Sequence, residues 1–240
     1  MLNIENLEEF TNQHQTSIEN VMREYCQHLF LSYLYQLPGS ERLLFKGGTA
    51  LRIVFRSPRF SEDLDFTGSN ITQDEVEEIF TNTLANIEKA GITVEIDEGK
   101  PTTGGYLGIA VFHAYDKKIS VQIEVSLRRG KYPAGNRAVI QSDYMSPYSL
   151  VHLPTEDIIQ GKLNALMARH KPRDFYDYFF LLSGNYPLVK DKKYLNTVME
   201  LLKKSKIDFR SEIKMLLPKS HSMHLRDFKK ILEQKITNFK

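Results

Sequence analysis

A single cysteine, Cys26, among 240 residues rules out an internal disulfide, and no Cys/His cluster has the spacing of a zinc site. Long apolar runs are missing, so no segment is expected to span a membrane. Residues 1–5 lack the basic start and apolar core of a signal peptide. A soluble protein of the reducing cytoplasm, with no membrane partner, is the expectation. Internal repeats and low-complexity tracts are absent. His113, His152 and His170 stand singly, with no partner at the spacing of a nucleophile-histidine triad. Gly104-Gly105-Tyr106-Leu107-Gly108 matches neither a Walker loop nor a dinucleotide fingerprint and reads as a hairpin turn.

A hydrophobic fraction of 41% is enough for real cores in one large domain or two small ones. The net charge of +2 hides an uneven distribution. From Ser61 to Lys100 there are eleven acidic residues against two basic ones, and from Lys190 to Lys240 fourteen basic against six acidic. An acidic stretch that gathers cations and a basic one that holds a polyanion would be distributed this way, as would ordinary solvated helix faces.

Ser17 to Gln36 has helical apolar spacing and stops at Pro38-Gly39. Leu43-Leu44-Phe45 reads as a short strand ended by Gly47-Gly48, after which Thr49 to Phe55 has helical character. A second strand is expected at Leu64 to Thr67, and a helix from Gln73 to Lys89, stopped at Gly91. Strands follow at Ile92–Ile96, Leu107–Ala114 and Ile119–Leu127, the last two forming an antiparallel hairpin. Beyond Thr155 helical signals dominate, at Glu156–His170, Asp174–Leu182, Tyr194–Lys204 and Leu225–Ile236. The expected fold is α+β: a mixed sheet with helices over residues 1–150, then a helical, basic domain over 151–240.

The chemistry concentrates between Phe45 and Phe66. Side chains alternate along a strand, so Asp63 and Asp65 would share one face. Glu124, opposite in direction to Ile123 and Val125, could add a third carboxylate. Such oxygen donors suit Mg²⁺ ions in an in-line phosphoryl or nucleotidyl displacement, with two ions expected and Mn²⁺ able to substitute. Backbone N–H groups of Gly47, Gly48 and Thr49, at the entry to a helix, can hold phosphate oxygens, with Lys46 and Arg52 adding positive charge nearby. An Asp-x-Asp pair alone also fits exposed strand-end carboxylates, and Glu124 equally fits a solvent-facing strand residue.

The run Phe45-Lys46-Gly47-Gly48-Thr49-Ala50-Leu51-Arg52, followed by Arg59-Phe60-Ser61-Glu62-Asp63-Leu64-Asp65-Phe66, resembles the AbiEii/AbiGii family of toxin nucleotidyltransferases. This family is a branch of the DNA polymerase β-like superfamily. A second block agrees, Lys162-Leu163-Asn164-Ala165-Leu166 with Arg169 and Arg173-Asp174-Phe175-Tyr176-Asp177-Tyr178. The resemblance covers roughly Leu43 to Leu182. Many superfamily members read Gly-Ser where this chain has Gly48-Thr49, and threonine keeps the hydroxyl.

The resemblance implies that Asp63 and Asp65 bind the metal, that Lys162 contacts the nucleotide phosphates, and that Asp174 belongs to the active site. From the residues alone, Lys162 and Arg169 also fit the surface of an amphipathic helix buried through Ile159, Leu163 and Leu166. Asp174 likewise fits a first-turn carboxylate. Asp177 sits among aromatic residues, where an unpaired carboxylate is costly, so a salt bridge to Arg173 or Lys162 is expected. Tyr144, Tyr148, Tyr176 and Tyr178 fit either base stacking or the core.

These readings imply an enzyme that moves a nucleoside monophosphate from an NTP to an acceptor hydroxyl. The resemblance implies a toxin with a cognate antitoxin, often a DNA-binding regulator. The basic C-terminal stretch suggests tRNA as acceptor, with Arg128, Arg129, Lys131 and Arg137 as a second basic cluster. The alternatives are a protein hydroxyl or small molecule as acceptor, or an inactive binding module, whose mark would be loss of the carboxylates.

Overall fold

The computed structural model describes residues 3–114, 116–127 and 134–239. The chain divides into two compact units, Met1–Arg56 with Phe60–Pro154, and Ser57–Arg59 with Thr155–Lys240.

The first unit opens with α1 (Ile4–Gln13) and α2 (Ile18–Leu34). Each starts where a polar side chain caps it, Asn3 accepting from Asn6 N and Ser17 from Asn20 N. There follow β1 (Leu43–Lys46), α3 (Gly47–Ile53), β2 (Leu64–Gly68), α4 (Gln73–Lys89), β3 (Val94–Thr102), β4 (Gly105–Ala114), β5 (Lys117–Leu127), β6 (Asn136–Ile140) and β7 (Tyr148–His152). The seven strands form one mixed sheet in the order β3-β4-β5-β2-β1-β7-β6. Within it β2 runs parallel to β5 and β1 parallel to β7, and the other pairs are antiparallel. Helix α4 begins in a reciprocal cap between Thr72 and Glu75 and ends before Gly91, whose φ of 82° needs a glycine. The hairpin expected at Gly104 joins β3 to β4, and the one at Asp116 joins β4 to β5. In this unit β6, β7 and α1 lie outside the expected elements, with β7 straddling the expected domain boundary at residues 150 and 151.

One sheet face is apolar. Leu64 and Phe66 of β2 and Ile123 and Val125 of β5 are buried, beneath α2 and α4, where Phe30 and Phe80 meet at 6.1 Å between ring centroids. Alternation turns Asp65 and Glu124 the other way, and both are more exposed than their neighbours.

The second unit is helical: α5 (Thr155–Arg169), α6 (Pro172–Ser183), α7 (Lys192–Lys204), α8 (Phe209–Ile213), α9 (Lys219–Ser222) and α10 (Phe228–Thr237). Pro172 stands in the first turn of α6, where its missing N–H costs nothing. Its core gathers Phe175, Tyr178, Leu181, Leu195, Leu202, Leu232 and Ile236, and Phe209 and Phe228 meet at 4.9 Å between centroids. Among the described residues no helix is long and apolar enough to cross a membrane.

Candidate active site

The acidic site is built on β1, α3 and β2. β1 runs into α3 through Gly47, whose φ is 86°. This left-handed bend leaves room for the neighbouring strand, because a β-carbon on Gly47 would lie 2.0 Å from Asp65 Oδ2. Asp65 pairs in register with Lys46 on one side and Glu124 on the other, so the three side chains share a sheet face. Asp63 is the last residue before β2, one position outside the strand.

The donors expected for phosphate are arranged less simply. Gly47, Gly48 and Thr49 are the first three residues of α3, and no side chain caps that end, so their N–H groups have no intrahelical acceptor. The Thr49 hydroxyl, however, is wholly buried and donates to Asp63 O at 2.5 Å. Thr49 therefore offers a phosphate its backbone only. Arg52 is likewise turned inward, its Nε 2.5 Å from Glu24 Oε1. Lys46 Nζ lies 3.3 Å from Ser126 Oγ.

Asp63 and Asp65 are hard oxygen donors, both partly exposed. Among the described residues no three His, Cys, Asp or Glu side chains form a ready metal-binding group. Glu124, exposed and accepting from Gln122 Nε2 at 2.6 Å, is a neighbour of Asp65 by register and does not complete such a group. A pair of carboxylates still fits Mg²⁺, which commonly takes one or two from the protein and the rest from water and substrate phosphates.

In the second unit the charged residues singled out by sequence are ion-paired. Asp177, 1% exposed, accepts from Lys162 Nζ at 2.8 Å and from Arg59 Nε and Nη2 at 2.8 and 3.0 Å. Burial pushes its carboxyl up, but the charges of Arg59 and Lys162 outweigh that and hold it at about 2. The expected Lys162 bridge is present. Arg173, the other expected partner, faces Glu212 at 3.2 Å. Asp174, also buried, accepts from Arg169 at 2.8–3.2 Å and from Lys171 N at 3.1 Å, the first-turn capping arrangement.

A family model described as nucleotidyl transferase AbiEii toxin, type IV toxin-antitoxin system, matches residues 29–240. The chain belongs to the AbiEii family. It is accordingly a nucleotidyltransferase, and the family's type IV toxin-antitoxin assignment points to an antitoxin partner. Two solved structures share the fold. One, a candidate nucleotidyltransferase of Helicobacter pylori, is 18% identical with a TM-score of 0.56, over 93% of this chain and 99% of that one. The other, JHP933 of Helicobacter pylori, is 19% identical with a TM-score of 0.58, over 93% and 95%. No curated protein matches.

Several features of this AbiEii chain are not readable from its motifs. Arg59 lies inside the first motif block yet pairs with Asp177, 118 residues away. Glu24, 5% exposed, holds Arg52 and accepts from Tyr144 Oη at 2.6 Å, so Tyr144 serves the core. So does Tyr178, which donates to Val189 O at 2.9 Å. The signal available in sequence was a polar residue, Glu24, on the apolar run of α2. Of the second basic cluster, Arg137 is exposed on β6, while Arg128, Arg129 and Lys131 lie outside the described residues.

Proposed function

We propose that this protein transfers a nucleoside monophosphate from an NTP to a hydroxyl of tRNA in the cytoplasm, in a Mg²⁺-dependent reaction. The observation that carries the reading is the Asp65 carboxylate seated over Gly47, beside Asp63 and at the mouth of α3. Asp63 and Asp65 would hold Mg²⁺, two ions or their Mn²⁺ replacements, with Glu124 as the next donor by register. When bound, such ions supply Lewis acidity toward the attacking hydroxyl and the triphosphate. The backbone N–H groups of Gly47, Gly48 and Thr49 hold phosphate oxygens. The acceptor oxygen forms its bond to the α-phosphorus as the bond to pyrophosphate breaks, and pyrophosphate leaves.

Lys162 and Asp174 enter the proposal on the family resemblance, Lys162 as a cation for the triphosphate and Asp174 orienting substrate or assisting proton transfer. A phosphate would have to share Lys162 with Asp177, and a substrate hydroxyl would have to share Asp174 with Arg169. The tRNA assignment is supported by the exposed lysines of the second unit, Lys203, Lys204, Lys206 and Lys214.

The test is incubation with each α-labelled NTP and total tRNA, with Mg²⁺ and after chelation. Label should enter RNA with a preferred NTP, and Asp63→Ala or Asp65→Ala should reduce it on the order of 10³-fold or more. Near-wild-type activity in either variant would remove the metal assignment. Label entering a protein instead would move the acceptor to a protein hydroxyl, and no transfer with any NTP would sink the reading.

A further inference from the structure

Helix α2 carries a glutamine in the middle of its buried face. Gln27 is 1% exposed, and its amide nitrogen makes two hydrogen bonds. Nε2 donates to two successive carbonyls of the segment that leads into β2, Ser61 O at 3.0 Å and Glu62 O at 2.9 Å. The next carbonyl, Asp63 O, is the one that accepts from Thr49 Oγ1 at 2.5 Å. Three consecutive backbone carbonyls are therefore held by side chains of two different helices. The last of the three residues is Asp63.

The two helices are tied to each other one turn from these contacts. Glu24 precedes Gln27 by three residues and Arg52 follows Thr49 by three, so each shares a helix face with its neighbour. Arg52 Nε and Nη2 reach Glu24 Oε1 and Oε2 at 2.5 and 3.1 Å. The Arg52 guanidinium also lies 3.9 Å from the centroid of the Phe60 ring, the residue before Ser61. Every residue from Phe60 to Asp63 is thus gripped from α2 or α3.

We propose that Gln27 is a positioning residue for Asp63. It acts through the backbone: the peptide groups on the N-terminal side of Asp63 set the direction of its Cα–Cβ bond, and Gln27 fixes those groups by both amide hydrogens. This inference rests on the proposed role of Asp63 as a metal-holding carboxylate. A backbone carbonyl that loses its donor is free to reorient toward another one, and misplacing a reacting group by about 1 Å can cost about 10²-fold in rate.

Gln27→Met keeps the length and volume of the side chain and removes both donors. Gln27→Asn, which keeps the amide but shortens its reach, is the milder variant for the same comparison. Phe30→Leu, on the same helix but packed against Phe80, is the stability control. In either Gln27 variant kcat should fall about 10-fold or more while KM for the NTP stays within about threefold. Mn²⁺ affinity, measured by electron paramagnetic resonance without NTP, should weaken at least severalfold. Phe30→Leu, at a comparable loss of Tm, should leave both unchanged. A Gln27 variant that matches Phe30→Leu in kcat and in Mn²⁺ affinity overturns the inference. If the wild-type chain binds Mn²⁺ but transfers no nucleotide, the proposed function fails and the Mn²⁺ comparison alone decides the role of Gln27. A wild-type chain that binds no Mn²⁺ overturns both.

Discussion

Gly47 lies so close beneath Asp65 that a β-carbon there would meet Oδ2 at 2.0 Å and Cγ at 2.8 Å. Gly47→Ala must therefore displace the carboxylate as well as strain a backbone with φ of 86°. Gly91 separates the two effects, because its φ is 82° with nothing within 4 Å of an added β-carbon. Each substitution should cost about 1–2 kcal/mol from the left-handed backbone. Only Gly47→Ala should also lower nucleotide transfer, by about 10²-fold. Equal activity in the two variants, assayed beside their urea unfolding curves, would show that the close approach has no catalytic consequence.

The Arg59–Asp177–Lys162 cluster should be a stability element of the second unit. Asp177→Asn leaves the buried Arg59 and the partly exposed Lys162 facing a neutral amide and should cost about 3–5 kcal/mol. Lys162→Met should cost less, since Arg59 still holds the carboxylate by two hydrogen bonds. Chemical denaturation measures both. A Lys162→Met protein of wild-type stability with a raised KM for NTP would show instead that this ammonium works on the nucleotide.

His28 makes the first unit sensitive to mild acid. It is 5% exposed, with Nδ1 2.8 Å from Tyr148 Oη. Burial lowers it from 6.5 to about 4 despite the nearby Glu24 carboxylate. The folded-state value lies below the unfolded one, so the stabilisation is fully present above pH 6.5 and is lost as pH falls toward about 4. Replacing His28 by asparagine should flatten stability against pH in that window by about 1.4 kcal/mol per pH unit. His14, whose pKa burial also lowers, should leave a residual slope. Unfolding free energies across the window that superimpose for the two proteins would contradict this.

The basic tail contains lysines of two kinds. Lys229 donates to Lys203 O and Ser205 O at the end of α7, and Lys235 donates to Ser183 and lies 4.2 Å from the Phe179 ring centroid. Those are packing contacts. Lys203, Lys204, Lys206 and Lys214 are exposed, and reversing them should weaken tRNA binding and flatten its salt dependence by about one counterion per lost phosphate contact. KM for the NTP should stay constant. An unchanged KM for tRNA and an unchanged salt slope would leave the tail as a solvated surface.

What the linear order of residues determined is local. Helix α4 has the bounds Gln73–Lys89 because a capping pair, one apolar stripe and a terminal glycine lie within one short segment. The glycine turn before α3 is legible in the same way, as is the alternation that turns Asp65 away from Leu64 and Phe66, whereas Asp63 falls one position outside the strand. Burial and partnership were decided by tertiary structure. Thr49 holds Asp63, Gln27 reaches across 34 and 35 residues, and Arg59 pairs across 118. Strand β7 is added to the sheet beside β1 only when Phe45 meets His152 in register. A period in sequence reports which way a side chain faces. Which polar group meets it there depends on where separate elements pack, because a buried donor or charge must find its partner wherever the fold brings one within hydrogen-bond reach.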